Sequence, residues 1–135
     1  MGLEPDEWRI QRAFTIYYKG ERWAKGLKRG QWKVEPAELP GVVSWHTPNG
    51  GKREAFEAFR FKQIGVEAGI PDYLFLWGGL YALEFKEPGG GKVLPSQERM
   101  HPCLLGAGLV ALEIVDNLED AKSFVRKHGL VIPGR

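Results

Sequence analysis

Apolar residues follow the helical period near the start of the chain and the extended period at its centre. Four residues have the i, i+3, i+4, i+7 spacing of an amphipathic helix that begins near Pro5 or Asp6: Ile10, Ala13, Phe14 and Tyr17. At the centre, the apolar runs 72–77 and 80–86 are separated by Gly78-Gly79. Two such runs joined by paired glycines are typical of a β-hairpin.

The remaining segments complete an alternation of helices and strands. Residues 42–46 form a short β-like run before the turn-rich segment 47–51, and residues 20–40 have no clean period and predict a loop with a short helix at most. Further predicted elements are a helix over 52–65 that stops at Gly65, a helix from Pro95 to Leu105, a buried strand over Leu109–Val115, and a last helix capped by Asn117 and ended by Gly129. The order α-β-α-ββ-α-β-α predicts an α/β fold with a mixed sheet flanked by helices.

Length and composition limit the class of protein. The 135 residues predict one domain over 1–135, and 43% hydrophobic residues exclude a disordered chain. The sequence has no apolar run long enough to cross a membrane, and its acidic start is unlike a signal peptide. We therefore expect a cytoplasmic protein without a membrane partner. Cys103 is the only cysteine, which excludes an internal disulfide, and we expect it to be a core thiol.

Positive charge is concentrated near the start of the chain. The segment from Lys19 to Lys33 holds six Lys/Arg and one acid, with Trp23 and Trp32 between them. Such a segment fits a nucleic acid, because cations displace counterions from phosphates and aromatic rings stack on bases. A solubilising loop is the alternative.

Charged residues stand at the end of the second central strand. Glu84 and Lys86 are two apart, so their side chains lie on one face of the strand. Asp72 begins the partner strand, and two carboxylates at one hairpin end form an oxygen site that suits Mg²⁺ or Mn²⁺. A strand-end salt bridge between Glu84 and Lys86 is the structural alternative.

The surrounding motifs resemble those of the VRR-NUC family of the PD-(D/E)xK nucleases. They are G-I-P-D (69–72), E-F-K (84–86), a Gly-rich loop and L-P-S-Q (94–97), preceded by H-T-P-N-G-G-K-R (46–53) and K-Q-I-G-V-E-A-G (62–69). The likeness extends over about 42–128 and leaves 20–40 as a basic, loop-rich insertion. It implies a restriction-endonuclease-like core.

The resemblance also implies roles for individual residues. Asp72, Glu84 and the main-chain carbonyl of Phe85 would bind Mg²⁺, with Mn²⁺ as a substitute, and Lys86 would position the attacking water. Gln97 would project toward the site from its helix. Glu7 with Gln11 fits the family's E-x-x-x-Q pair, and its place on the inward stripe of the first helix supports a catalytic or metal-binding role. A first-turn Glu favoured by the helix dipole is the alternative.

The chain departs from the family pattern at Leu94. The family often has Ser before the Pro of its Gln helix, where a hydroxyl caps the first turn, and Ser96 lies after that Pro instead. The departure affects the expected start of this helix and the direction of Gln97. It leaves the expected metal ligands unchanged.

We therefore expect a metal-dependent DNA endonuclease, structure-selective for junctions or flaps. The resemblance further implies a homodimer in a bacterial or phage-infected cell. Seven residues are expected to contact the nucleic acid: Lys25, Lys28, Arg29, His46, Asn49, Lys52 and Arg53. A catalytically silent nucleic-acid-binding module and a hydrolase of small phosphate substrates are the alternatives. The Gly-rich loop lacks the G-x-x-x-x-G-K-[ST] spacing, so no nucleotide cofactor is expected.

The hairpin length decides whether the two carboxylates can meet. If Gly78-Gly79 alone formed the turn, Asp72 would pair with Phe85 and point away from Glu84. A three-residue connection over 77–79 sets Asp72 opposite Glu84, and a bulge or a kink at Pro71 would have a similar effect. A shared metal ion needs both carboxylates on one face of the sheet. We therefore predict that the hairpin is not a regular two-residue type.

Overall fold

The computed structural model describes residues 6–47 and 55–135, which form a four-stranded sheet flanked by helices. The first part contains α1 (Asp6–Lys19), α2 (Glu21–Lys25), a short 3-10 helix (Arg29–Gln31) and β1 (Val43–His46). The second part contains α3 (Ala55–Gln63), β2 (Tyr73–Leu76), β3 (Leu80–Phe85), α4 (Pro95–Gly106), β4 (Ala111–Val115) and α5 (Leu118–Lys127). The predicted order of helices and strands is confirmed, and the segment that we expected to be a loop with a short helix at most holds α2 and the 3-10 helix.

The sheet is mixed, as predicted. Its strand order is β1-β2-β3-β4, with β1–β2 and β2–β3 antiparallel and β3–β4 parallel. In the hairpin Leu76 pairs with Leu80, so the connection is the three residues 77–79. Continuing this register by one pair beyond Tyr73–Leu83 sets Asp72 opposite Glu84. The prediction that the hairpin is not a two-residue type is confirmed.

The two faces of the sheet have different cores. On one face the large core contains α1 and α5 side chains, among them Phe14 and Phe124, packed on Tyr73, Phe75 and the inward residues of β3. On the other face a smaller cluster of Leu74, Ala82 and Leu109 packs with Leu104 of α4. Glu84 follows Ala82 by two residues and lies on this second face. Helix α4 therefore covers the side of the sheet on which the catalytic candidates lie.

Two residues that we expected to be buried, one in β4 and one on α4, are exposed in the structure. We expected β4 to be fully buried, but it is the edge strand of the sheet, and Ile114 is 40% exposed. Cys103 is exposed on α4 rather than in the core. The predicted cap of α5 agrees with the structure, since Asn117 Oδ1 accepts from the Asp120 N–H at 2.8 Å. The predicted helix over 52–65 is α3, and its predicted start at Lys52 lies outside the described residues. No helix in the described part of the chain is long and apolar enough to span a membrane.

Candidate active site

The end of the β2–β3 hairpin brings Asp72 and Glu84 together on the face covered by α4. Both are buried, at 7% and 3% exposure. The Phe85 N–H donates to Asp72 Oδ2 at 2.9 Å, which holds the Asp72 carboxylate against the neighbouring strand. The Phe85 carbonyl belongs to the same backbone segment, and its role as a metal ligand stays a prediction.

Gln97 connects the two charged residues of the E-F-K motif. Its Nε2 donates to Glu84 Oε2 at 2.9 Å, and its Oε1 accepts from Lys86 Nζ at 2.7 Å. Lys86 Nζ is 3.8 Å from Glu84 Oε2, and all three side chains are buried. The expected direction of Gln97 is therefore what the structure shows, and the amide orders Lys86 relative to the carboxylate.

The start of α4 explains how Gln97 reaches the site without a hydroxyl cap. Leu94 occupies the cap position in an extended conformation, and Pro95 begins the helix. Gln97 Oε1 accepts from the Leu94 N–H at 2.9 Å, so the catalytic candidate itself provides half of a capping box. The leucine at position 94 thus leaves the Gln97 side chain aimed at Glu84.

Burial and like charge shape the electrostatics of this cluster. Burial, reinforced by the neighbouring Asp72 carboxylate, raises the pKa of Glu84 to about 9, against a smaller opposing effect of Lys86. Glu84 Oε1 is buried and has no hydrogen-bond partner among the described residues. A buried carboxylate oxygen without a partner is costly, and a cation or a proton offsets that cost.

Glu7 of α1 lies close enough to this cluster for the charges of Asp72 and Lys86 to affect its pKa. Its pKa is raised by partial burial and by Asp72, with Lys86 acting in the opposite direction. Among the described residues, however, no three His, Cys, Asp or Glu side chains form a metal-binding group. Glu7 thus lies near the site without completing a three-residue ligand set among the described residues, and its catalytic or metal-binding role stays a prediction.

Comparison with known proteins finds a solved structure with the same fold. No protein-family model and no curated protein matches the chain. A solved structure of a "VRR_NUC domain protein" superposes over 97% of this chain and 93% of its own, with a TM-score of 0.61 and 23% identity. This chain has the VRR-NUC fold. The predicted α/β architecture, a mixed sheet flanked by helices, is thereby confirmed.

Within this VRR-NUC fold, His101 is a site residue that the sequence interpretation missed. It follows Gln97 by one helical turn and is buried. Burial, followed by the Lys86 charge, lowers its pKa, and its Nε2 is buried without a partner in the described structure. Its place before Pro102 in the sequence gives no indication of a position beside the site. The i, i+4 spacing from Gln97 was the available signal.

Gly69 explains why helix α4 can lie so close to the start of β2. Its φ is +85°, and a Cβ at this position would be 2.3 Å from the Ser96 carbonyl oxygen. The G-I-P-D segment therefore packs its backbone directly on α4. This contact fixes the distance between Asp72 at the end of the segment and Gln97 on the helix.

His46 and Gln11 join β1 and α1 to the same end of the hairpin. His46 Nδ1 is 2.8 Å from the Asp72 carbonyl oxygen and 2.7 Å from Gln11 Nε2. His46 remains exposed, so its outer ring edge is open to a ligand. Its predicted contact with a phosphate stays a prediction.

The other expected nucleic-acid contacts lie apart from the hairpin end. Lys25, Lys28 and Arg29 are exposed in and after α2, which follows the far end of α1 from Glu7. Arg29 also lies 3.8 Å from Glu35 across an exposed ion pair. Three further expected contacts lie outside the described residues: Asn49, Lys52 and Arg53.

Proposed function

We propose that this protein is a metal-dependent DNA endonuclease that hydrolyses backbone phosphodiesters. The observation that carries the proposal is the hairpin register, which brings Asp72 and Glu84 to one buried point beside Lys86 and Gln97. The VRR-NUC fold supports the same reaction class. A merely structural salt bridge would not require a second carboxylate beside Glu84.

The donor set fits a hard divalent cation. Asp72 and Glu84 offer carboxylate oxygens, and the unpartnered Glu84 Oε1 is an oxygen that a cation would satisfy. Water and phosphate oxygens complete the shell of Mg²⁺ in many phosphoryl-transfer sites, so two protein carboxylates suffice. Bound Mg²⁺, or Mn²⁺ in its place, would supply a more acidic water and neutralise phosphate charge.

The side chains around the carboxylates have distinct roles in the proposed hydrolysis. Lys86 donates to Gln97 through one N–H and keeps other N–H groups for the attacking water or a phosphoryl oxygen. Its positive charge opposes the negative charge that develops on the phosphate during attack. Gln97 holds both Lys86 and Glu84, which keeps the ammonium group and the carboxylate in one fixed arrangement.

Two alternatives remain available to the same fold. A catalytically silent DNA-binding module would be expected to lose Asp72, Glu84 or Lys86, and all three are present and buried together. A hydrolase of small phosphate substrates would need no extended basic surface, whereas the segment from Lys19 to Lys33 carries six cations and one acid. Both observations favour the endonuclease.

The substrate selectivity, oligomeric state and cellular location that we propose rest on the resemblance to the VRR-NUC family. We propose selectivity for branched DNA such as junctions or flaps, action as a homodimer that cuts two strands, and a place in the cytoplasm of a bacterial or phage-infected cell. They are separable from the hydrolytic reaction, which a monomer on plain duplex would already display.

The test incubates the purified protein with labelled forks, flaps, junctions and plain duplex, with Mg²⁺, with Mn²⁺ and with EDTA. We expect cleavage of at least one substrate that requires the metal and that is lost in Glu84→Ala, Asp72→Ala and Lys86→Ala. Each variant should still bind DNA in EDTA, because the three side chains are buried. Undiminished cleavage by Glu84→Ala would exclude the proposed site.

Glu98→Gln provides the matched control for these substitutions. Glu98 is an exposed carboxylate in the first turn of α4, one residue from Gln97. Its replacement changes charge near the site without touching the buried cluster, and we expect metal-dependent cleavage to remain within about twofold of the native protein.

A further inference from the structure

Each of the three tryptophans in residues 1–33 lies beside a cation. Arg12 lies 5.9 Å from the Trp8 ring, Lys19 lies 4.9 Å from the Trp23 ring, and Arg29 lies 5.8 Å from the Trp32 ring. Trp32 is half-buried, and its Nε1 donates to the Leu27 carbonyl. Trp8 and Trp23 are instead 47% and 66% exposed, so two of these aromatic rings are open to a partner.

Helix periodicity places the exposed Trp8 and the two cations Arg12 and Lys19 on one side of α1. At 100° per residue, Trp8, Arg12 and Lys19 fall within about 40° of one another on α1, away from the buried Phe14. Lys19 Nζ donates to the Ser44 carbonyl at 2.7 Å, which places this side of α1 along the edge strand β1. We call Trp8, Arg12, Lys19 and Trp23 the α1 stripe.

The N-terminal half of α1 lies beside the hairpin end, because Gln11 Nε2 is 2.7 Å from His46 Nδ1, which is 2.8 Å from the Asp72 carbonyl oxygen. Trp8 lies one turn before Gln11, and Trp23 lies in α2 at the other end of α1. From Trp8 to Lys19 the helix rises about 16 Å, at 1.5 Å per residue. This length corresponds to roughly five stacked nucleotides at 3.4 Å each.

Charge selects the kind of partner for this surface. Residues 8–33 contain eight Lys/Arg and one acid, Glu21, which is buried at 3% exposure. Cations favour a phosphate backbone, and exposed indole rings offer stacking to bases. Bases within a duplex are already stacked on one another, so only unpaired bases can use these rings.

We propose that the α1 stripe binds an unpaired DNA strand that leads away from the catalytic site, with bases stacked on Trp8 and Trp23. This inference rests on the proposed nuclease function and names the substrate feature that the enzyme selects. A branched substrate with a single-stranded arm presents duplex at the hairpin end and unpaired bases along α1. Arg12 and Lys19 contact the phosphates of that arm.

The test measures binding in EDTA, so that cleavage does not interfere, to labelled oligo-dT and to a blunt duplex. The variants are Trp8→Leu, Trp23→Leu and their double, and Trp77→Leu is the control, since Trp77 is 42% exposed in the hairpin connection, away from the catalytic end. Each stripe substitution should weaken oligo-dT binding by about fivefold or more, with duplex binding changed less than about twofold. Trp77→Leu should change neither, and thermal melting checks that every variant folds.

Each outcome bears on one proposal at a time. Native affinity of the double variant for oligo-dT, or equal losses on oligo-dT and duplex, would overturn the α1 stripe as a single-strand site. Metal-dependent cleavage by the native protein would still support the nuclease in that case. Conversely, tryptophan-dependent oligo-dT binding without any cleavage of any substrate would retain the stripe and exclude the nuclease.

Discussion

The side-chain amide of Gln97 donates a 2.9 Å hydrogen bond to the carboxylate of Glu84. The two residues come from different elements, α4 and β3, and the bond joins this helix to the sheet. Because Gln97 also accepts from the Leu94 N–H, its rotamer is fixed by the start of the helix as well as by the site. The amide therefore couples the first turn of α4 to the position of the proposed metal ligand.

Replacing Gln97 by Met should damage both the helix start and the site. The Leu94 N–H and Lys86 Nζ lose their acceptor, so we expect a loss of stability of about 1 kcal/mol for the cap and a 10–100-fold loss of metal-dependent cleavage. Urea unfolding and cleavage rates on the preferred substrate measure the two effects.

Gln97→Glu separates the two roles. Glutamate can still accept from Leu94 and Lys86, but it cannot donate to Glu84 when ionised. We expect Gln97→Glu to keep most of the stability that the cap provides at neutral pH in the presence of Mg²⁺. We expect its cleavage rate at subsaturating Mg²⁺ to differ from that of the native protein. Identical stability and cleavage in both variants and the native protein would show that the amide contributes to neither.

Stability in EDTA should fall as pH rises from 7 to 9. Burial and Asp72 raise the pKa of Glu84 to about 9, so the folded state keeps a proton that the unfolded state has released. The stability contributed by this proton is complete below the unfolded pKa and is lost as pH rises through the folded one, with a slope of at most about 1.4 kcal/mol per pH unit. The lowered pKa of His101 and His128 gives the opposite sign, but below this window.

The pH experiment uses urea unfolding at pH 7, 8 and 9, with EDTA and with Mg²⁺. Glu84→Gln is the control, since it cannot titrate and should flatten the dependence. Mg²⁺ should stabilise the native protein more at pH 9 than at pH 7, because the carboxylate is then ionised without cost of deprotonation. A native stability that increases between pH 7 and 9 in EDTA would contradict the assignment.

Gly69→Ala should be strongly destabilising. A Cβ would lie 2.3 Å from the Ser96 carbonyl oxygen and 2.7 Å from its carbon, and backbone atoms of α4 cannot move away cheaply. With the strain of φ +85° added, we expect a loss of more than about 3 kcal/mol. The matched control is Gly65→Ala, with φ +95° but open space around it, which should cost only about 1 kcal/mol. Equal losses in the two variants would show that the close contact with α4 is unimportant.

Neutralising Lys25, Lys28 and Arg29 together to Gln should weaken binding to every DNA sequence. Each phosphate contact that is lost lowers the slope of log affinity against log salt by about 0.7–0.9, so a triple variant should lose up to roughly two to three units. Lys127→Gln is the control, as an exposed cation at the end of α5. An unchanged slope in the triple variant, measured by anisotropy in EDTA, would assign these cations to solubility alone.

Local patterns were sufficient to predict most of the fold and the hairpin end of the site. The helical spacing around Phe14, the cap at Asn117 and the paired glycines before Leu80 each depend on nearby residues, so the sequence carries them directly. Counting residues across the turn showed that Asp72 and Glu84 can meet only if the connection is not the two residues Gly78-Gly79, because side-chain direction alternates along a strand. The structure has the three-residue connection that their convergence requires.

Features that depend on distant packing were not predictable in this way. The apolar sequence around Ile114 predicts a buried strand. Ile114 is exposed because β4 is an edge strand, and the strand order that makes it an edge depends on packing between distant segments. His101 looked non-catalytic because its neighbours in sequence are uninformative, whereas its environment is Gly69 and the hairpin end. The helix at 21–25 lies within a Gly- and Lys-rich segment whose composition favours a loop.

The three-residue connection of the hairpin has a consequence for insertions and deletions. Deleting one residue from 77–79 or adding one would move the register by one position and rotate Asp72 to the face of Phe14, away from Glu84. Adding two residues would preserve the face, because side chains alternate with a period of two. This turn lies at the far end of β2 from the carboxylates, yet its length must stay odd for them to meet. Its two glycines are constrained as well, since Gly78 has a positive φ and a Cβ at Gly79 would lie 2.7 Å from Val110 Cγ2.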